Sequence, residues 1–100
     1  MLEQIIFTLN VQTDLKDEVV DKLISLSSIT GFNLKKINGY SKEHSLYDIS
    51  EQVEGYRALY QFEVLIPSRE VENLKVSLKP ICQPAKLKFW LTPVIESGHF

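Results

Sequence analysis

A chain of 100 residues has the length of one domain, and its apolar fraction of 44% is typical of a globular protein. The formal net charge is -2 and no basic cluster is present, which argues against nucleic acid as a partner. Cys82 is the single cysteine, and no apolar run approaches the ~18 residues of a membrane span, so we expect a cytoplasmic protein without direct membrane insertion.

The first 31 residues predict a strand followed by a helix. Apolar and polar residues alternate over 4–11, the pattern of a half-buried strand. Thr13 and Asp14 are predicted to cap the helix, which ends near Gly31. Its apolar stripe comprises Leu15, Val19, Leu23 and Leu26, widened by Val20 and Ile24.

A second, weaker strand begins at Phe32 and Leu34. Lys35 and Lys36 predict that it lies at the edge of the sheet, because edge lysines discourage unwanted pairing. Residues 39–57 then match neither a strand nor a long helix, apart from a short helical pattern over 46–53. A long segment of this kind in a small domain indicates a functional or disordered loop.

The second half of the chain repeats the strand–helix–strand order. Residues 58–66 alternate clearly and predict a strand, after which Ser68 is predicted to cap a helix that Pro80 closes. The apolar face of this helix comprises Val71, Leu74, Leu78 and Ile81. Residues 85–92 predict the last strand, with Trp90 on the face opposite Phe89 and Leu91.

The order of elements predicts an α+β, ferredoxin-like βαββαβ sandwich formed by one domain over residues 1–100. Its four-stranded antiparallel sheet carries two helices on one face and a long loop between strands 2 and 3. The other face then presents apolar residues, namely Ile6, Leu59, Leu65 and Trp90. We predict that this face forms an interface between subunits; the alternative is that the C-terminal tail half-covers Trp90.

Four segments of the sequence resemble one known group: Gly39 before the loop, 50–55 (SEQVEG), 62–67 (FEVLIP) and 90–94 (WLTPV). In these residues the chain is similar to the PII-like signalling superfamily of nitrogen regulatory proteins. Within it, the chain resembles a small uncharacterised bacterial branch that is encoded beside heavy-metal efflux systems. The resemblance implies a homotrimer whose sheets face inward and whose loop over 40–57 reaches a ligand or a partner, with an efflux pump or its regulator as the candidate partner.

Nucleotide-binding members of the superfamily carry glycine- and arginine-rich phosphate-holding segments before the last strand. The corresponding residues 79–84 contain neither glycine nor arginine, which argues against ATP binding of that kind. Tyr47 lies in the middle of the loop, but no motif around it matches the modified tyrosine of the superfamily.

The candidate binding residues of the loop are Gly39, Ser45, Tyr47, Glu51, Gln52, Gly55 and Arg57. Arg57 is the best candidate for holding a small anion, because guanidinium binds carboxylates through two parallel hydrogen bonds. The alternative is that Arg57 pairs with Glu51 or Glu54 within the loop.

A metal site is a second possibility. His44 and Asp48 offer nitrogen and oxygen ligands in the loop, and His99 could join them across subunits. The alternative is that His44 is a solvated histidine among carboxylates. We interpret Cys82 as a small, partly buried apolar residue rather than a nucleophile, since no histidine is close to it in the sequence.

Three functions remain open from the sequence. The first is a regulatory or sensor protein that binds a ligand or partner through the 40–57 loop and intersubunit clefts, with metal stress as the candidate input. The second is a metal-binding or divalent-cation tolerance protein, or a small enzyme, that uses His44 and Asp48. The third is a purely structural interaction domain. The sequence identifies no cofactor, and we expect a protein that is not an enzyme.

Overall fold

The computed structural model describes residues 3–40 and 57–100. The strands are β1 (Gln4–Gln12), β2 (Asn33–Gly39), β3 (Arg57–Pro67) and β4 (Phe89–Val94). The helices are α1 (Lys16–Ser25) and α2 (Val71–Ala85), and each follows one turn of 3-10 helix, at Thr13–Leu15 and Ser68–Glu70 respectively. The predicted ferredoxin-like α+β fold is confirmed.

The sheet is antiparallel throughout and has the strand order β2-β3-β1-β4. β1 therefore lies in the interior, where Phe7 is opposite Val64 of β3 on one side and Leu91 of β4 on the other. β2, which carries Lys35 and Lys36, is an edge strand as predicted. Within the described residues 3–40 and 57–100, neither helix has the length and apolar character needed to cross a membrane.

The core lies between one face of the sheet and the two helices. Alternation along β1 and β3 directs every second side chain to this face, and the helices add the apolar stripes that the sequence predicts. The buried apolar residues are Phe7, Leu9, Val11, Val19, Leu23, Phe62, Val64, Ile66, Val71, Leu74 and Leu78. Ile24 does not belong to this set, because it is 70% exposed. The apolar stripe of α1 is therefore narrower than the sequence predicts.

The predicted capping residues Thr13, Asp14 and Ser68 are not N-caps, and neither helix start has a side-chain capping hydrogen bond. Each strand runs directly into a 3-10 turn, so the extended residue before the turn is Gln12 in one case and Pro67 in the other. An N-cap side chain accepts hydrogen bonds from the free N–H groups of the turn that follows it. The predicted caps lie inside the 3-10 turns instead, so they do not occupy the capping position.

The prediction that Pro80 closes the second helix is wrong. α2 continues through Pro80 and Pro84 to Ala85, because Ile81 and Cys82 in its last turns pack against the core. Termination comes instead at Lys86, which adopts a left-handed conformation with φ 54° and ψ 46°. As a result, β4 begins at residue 89 rather than 85.

The end of α2 has the hydrogen bonds of a Schellman motif. The Lys86 N–H donates to the Gln83 carbonyl and the Leu87 N–H to the Cys82 carbonyl, both at 3.1 Å. Leu87 and Cys82 also both pack against the core, as is common for this motif. The chain is thereby turned from the end of α2 into β4.

Candidate functional site

The uncovered face of the sheet brings together three of the four predicted interface residues. Ile6 lies directly opposite Leu65, and Trp90 lies opposite Thr8, one step further along the same face of β1. Leu65 is 44% exposed and Trp90 is 39% exposed. We call Ile6, Leu65 and Trp90 the open-face patch; its role as an interface stays a prediction.

Leu59, the fourth predicted residue, lies on the same face but far from the patch. It is opposite Gln12, six residues along β1 from Ile6, which corresponds to about 20 Å of strand. Its neighbour there is Ile37 of β2. The apolar residues of this face therefore form two separate groups.

Polar side chains occupy the space between these two groups. The Gln61 amide donates to the Asn10 side-chain oxygen at 3.0 Å, and Lys35 pairs with Glu63 at 3.6 Å. Thr8 is only 4% exposed although the helices do not cover this face, because it lies between its cross-strand neighbours. Since these polar groups already have partners, covering them with a second molecule would cost less than covering free ones.

Two of the predicted loop residues lie where the loop joins the sheet. Gly39 ends β2, Arg57 begins β3, and the two are opposite each other in the register. A methyl group on Gly39 would come within 2.8 Å of the Leu59 side chain, so glycine allows Leu59 to lie against β2. Ser45, Tyr47, Glu51, Gln52 and Gly55 lie outside the described residues.

The predicted metal ligands are not seen together. His44 and Asp48 lie outside the described residues, and His99 is exposed in the segment that follows β4. Over residues 3–40 and 57–100, no group of three or more histidine, cysteine or acidic side chains is arranged to hold a metal ion.

The structure also has a cleft that the sequence did not predict. It lies between α2 and the start of β4, has a volume of about 520 Å³, and is lined by apolar residues from both sides of the core together with several lysines. Cys82 lies in its wall, where burial raises the pKa of the thiol to about 11. The predicted helix ended at Pro80, so Cys82 was not expected in α2 and Lys86 was not expected directly after it. The sequence therefore did not predict that these residues line one cleft.

Residues 79–84, where nucleotide-binding relatives of the predicted superfamily hold phosphate, lie within α2. Their backbone N–H groups are committed to helical hydrogen bonds, and two of the six residues are prolines without an N–H. The segment therefore does not provide the loop of free N–H groups that binds phosphate.

The chain belongs to the DUF3240 family, described as a protein of unknown function, whose model matches residues 1–100. A crystal structure of a DUF3240 family protein from Shewanella baltica is 30% identical to it. It aligns over 100% of this chain and 99% of the other, with a TM-score of 0.83. The comparison with curated proteins gives no match.

Two further solved structures share the fold at low identity. CutA1 from Pyrococcus horikoshii is 14% identical, with a TM-score of 0.73 over 94% of this chain and 86% of that one. Arabidopsis thaliana PII bound to citrate is 13% identical, with a TM-score of 0.70 over 94% and 77%. The predicted likeness to PII-like proteins is thus confirmed at the level of the fold, which is all that a likeness at this identity establishes.

Proposed function

We propose that the protein is a PII-like regulatory or sensor protein that associates with itself through the open sheet face. It would bind a small ligand or a partner protein through the 40–57 loop and the clefts between subunits. The observation that carries this proposal is the open-face patch, present on a fold that the chain shares with PII and CutA1. The superfamily resemblance makes a cytoplasmic homotrimer the expected assembly, and an efflux pump or its regulator the expected partner.

Self-association is supported by the composition of the uncovered face. Leu65 and Trp90 leave large apolar surface in water, next to polar groups that are already paired. Both helices lie on the other side of the sheet, so neither helix covers the patch. A second copy presenting the same patch would remove this surface from water on both molecules.

Ligand binding at the loop is supported by the position of Arg57. The residue is partly buried at the junction of the loop with β3 and lies opposite Gly39. Because its backbone is held in β3 and the residue is partly buried, the Arg57 side chain has less freedom to lose when it binds a carboxylate or phosphate.

Calorimetric titration of the full chain tests the ligand hypothesis. Citrate, ATP and ADP are separate probes, because citrate is the molecule bound to Arabidopsis PII. We expect binding of at least one anion that weakens about tenfold or more in Arg57→Ala, since hydrogen bonds to charged groups contribute about 1.5–3 kcal/mol. Arg69→Ala is the matched control, because Arg69 is exposed in the turn before α2. Equal binding by both variants would contradict a role for Arg57.

We propose further that the protein is not an enzyme. The structure agrees with the interpretation of Cys82 as a packing residue, because burial raises the pKa of its thiol to about 11 and keeps it protonated near neutral pH. Turnover of ATP, measured as phosphate release, should equal the rate without protein. A rate that rises with protein concentration would favour the alternative of a small enzyme using His44 and Asp48.

Divalent-cation binding is the second candidate function, favoured by one comparison. The periplasmic divalent cation tolerance protein CutA from Archaeoglobus fulgidus has the same fold, with a TM-score of 0.71 at 8% identity over 94% of this chain and 86% of that one. Titration with Cu²⁺ and Zn²⁺ tests it, with His44→Ala and His99→Ala compared. Binding that disappears in His44→Ala would favour the metal function over the anion sensor.

A further inference from the structure

The cleft between α2 and β4 combines an apolar floor with a basic rim. Its floor includes Phe7 and Phe89, whose rings are stacked with centroids 5.2 Å apart, and Leu78 of α2. A cavity of about 520 Å³ has the volume of typical small-molecule sites, which are also mainly apolar. The cleft therefore has the size and lining to hold a small molecule within one chain, independently of the loop.

The charges along the cleft are unevenly distributed. At the end near the start of α2, Lys75 pairs with Glu72 at 3.4 Å and also lies 5.5 Å from the centre of the Phe89 ring. Lys79 lies about halfway along the α2 lining and Lys86 lies at its far end, and neither has an acidic partner in the part of the chain that the structure describes. The net positive charge thus lies along the second half of α2 and just beyond it.

The shape of the cleft favours a linear apolar group. Its α2 lining extends from Glu72 to Gln83, about 16 Å of helix at about 1.5 Å per residue. A flexible chain can lie along this length of helix past Val76, so that its contacts extend over several turns of α2.

From these observations we propose that the cleft binds a medium-chain acyl carboxylate, with its chain against Val76, Leu87 and Phe89 and its carboxylate beside Lys79 and Lys86, toward the end of α2. The exposed apolar side chains of the cleft provide affinity through burial, and the lysines fix the direction of the chain. The negative end of the α2 dipole lies at the same end of the cleft, so the affinity for a monoanion is modest.

The test uses octanoate, with 1-octanol as a neutral ligand of the same chain length. Amide signals of the ¹⁵N-labelled protein are followed during each titration. We expect octanoate to shift the signals of Leu87 and Phe89 in the cleft wall, and to leave Leu65 on the open face unchanged. 1-Octanol should bind about tenfold more weakly, because two exposed ion pairs at the rim are lost.

Two double variants and one single variant test the role of charge at the rim. Lys79→Gln combined with Lys86→Gln should weaken octanoate about tenfold and leave 1-octanol unchanged. Lys22→Gln combined with Lys36→Gln removes the same charge outside the cleft and should have no effect. Val76→Asp, at a 70% exposed residue of the rim, should also weaken octanoate through repulsion without disturbing the core.

Four results would overturn the proposal. Equal affinity for octanoate and 1-octanol would exclude a role for the lysines. Equal loss of octanoate binding in the two double variants would indicate a nonspecific charge effect. Octanoate shifts centred on Leu65, or no shift of Leu87 and Phe89 in the native protein, would show that the cleft is not the site.

Discussion

Lys86 is the one non-glycine residue with a positive φ among residues 3–40 and 57–100. At this position of a Schellman motif, glycine is the usual residue, because a side chain in the left-handed conformation approaches the following carbonyl oxygen. The protein thus carries backbone strain at the end of α2. The same residue lies at the rim of the cleft, where its positive charge would pair with the proposed carboxylate. Glycine at this position would relieve the strain but remove that charge.

Lys86→Gly should raise the free energy of unfolding by about 0.5–1 kcal/mol, since the left-handed conformation costs about 1–2 kcal/mol and glycine's extra freedom when unfolded offsets part of this. Denaturation in urea measures the change. Lys79→Gly is the matched control: it lies within α2 and should lower the free energy by about 1 kcal/mol. If Lys86→Gly lowered the free energy of unfolding, the Lys86 side chain would make a contact that stabilises the fold by more than the left-handed conformation costs.

Cys82 provides a second prediction, on pH. Burial raises the pKa of its thiol to about 11, so the folded protein holds much less thiolate at pH 8 than the unfolded chain does. Alkylation by iodoacetamide should therefore be slower in the folded protein than in urea-unfolded protein. The native rate should rise steadily with pH up to about 11, and a plateau near pH 9 would contradict the shift.

The same shift affects stability, and its sign is fixed. Because the folded pKa lies above the unfolded one, the folded state favours the neutral thiol. The resulting stability is fully present below the unfolded pKa and is lost as the pH rises toward about 11. Cys82→Ala should remove this component of the alkaline loss.

At the scale of single elements, β1 and β3 were predictable and α2 was not. Both strands have one face in the core and one uncovered, so the alternation of Phe7, Leu9 and Val11 with polar residues identifies each face directly. The end of α2 depends instead on competition between a local rule and tertiary packing. Pro80 disfavours the helix locally, but Ile81 and Cys82 after it pack against the core.

That competition predicts the effect of Pro80→Ala. Proline inside a helix removes one hydrogen bond and crowds the preceding turn, at a cost of about 3 kcal/mol. Alanine relieves this but makes the unfolded chain more flexible, so the free energy of unfolding should rise by about 1–2 kcal/mol. Pro80 is exposed, so the substitution leaves no cavity. A loss of stability in chemical denaturation would indicate that the helix is bent to fit the core.

At the scale of the whole molecule, the order of elements along the sequence was enough to predict the fold. It predicted the positions of the site residues only in part. The faces of Ile6, Leu65 and Trp90 follow from alternation, whereas the distance of Leu59 from them requires the register of β1 against β3. The cleft required even more, because it joins Phe7 of the first strand to residues near the end of the chain. Sequence periodicity describes which side of an element a residue occupies, but not which distant residue it meets.

The open-face patch makes a prediction for the assembled molecule. Leu65→Asp places a charge at the 44% exposed residue opposite Ile6, where self-association would bury it without a partner. Light scattering should therefore show a multimer for the native protein and single chains for the variant. Trp90, the single tryptophan, should report the same change through red-shifted fluorescence, because it moves from the interface into water.

Ile24→Asp is the matched control for this experiment. Ile24 is 70% exposed on α1, on the other side of the molecule from the patch. Replacing this apolar side chain by aspartate should therefore leave the mass of the assembly in solution unaltered. Circular dichroism establishes that both variants remain folded. If the native protein scatters as a single chain, or if Leu65→Asp keeps the native mass, the patch is not the surface through which copies meet. Anion binding at Arg57 would then have to be explained within one subunit.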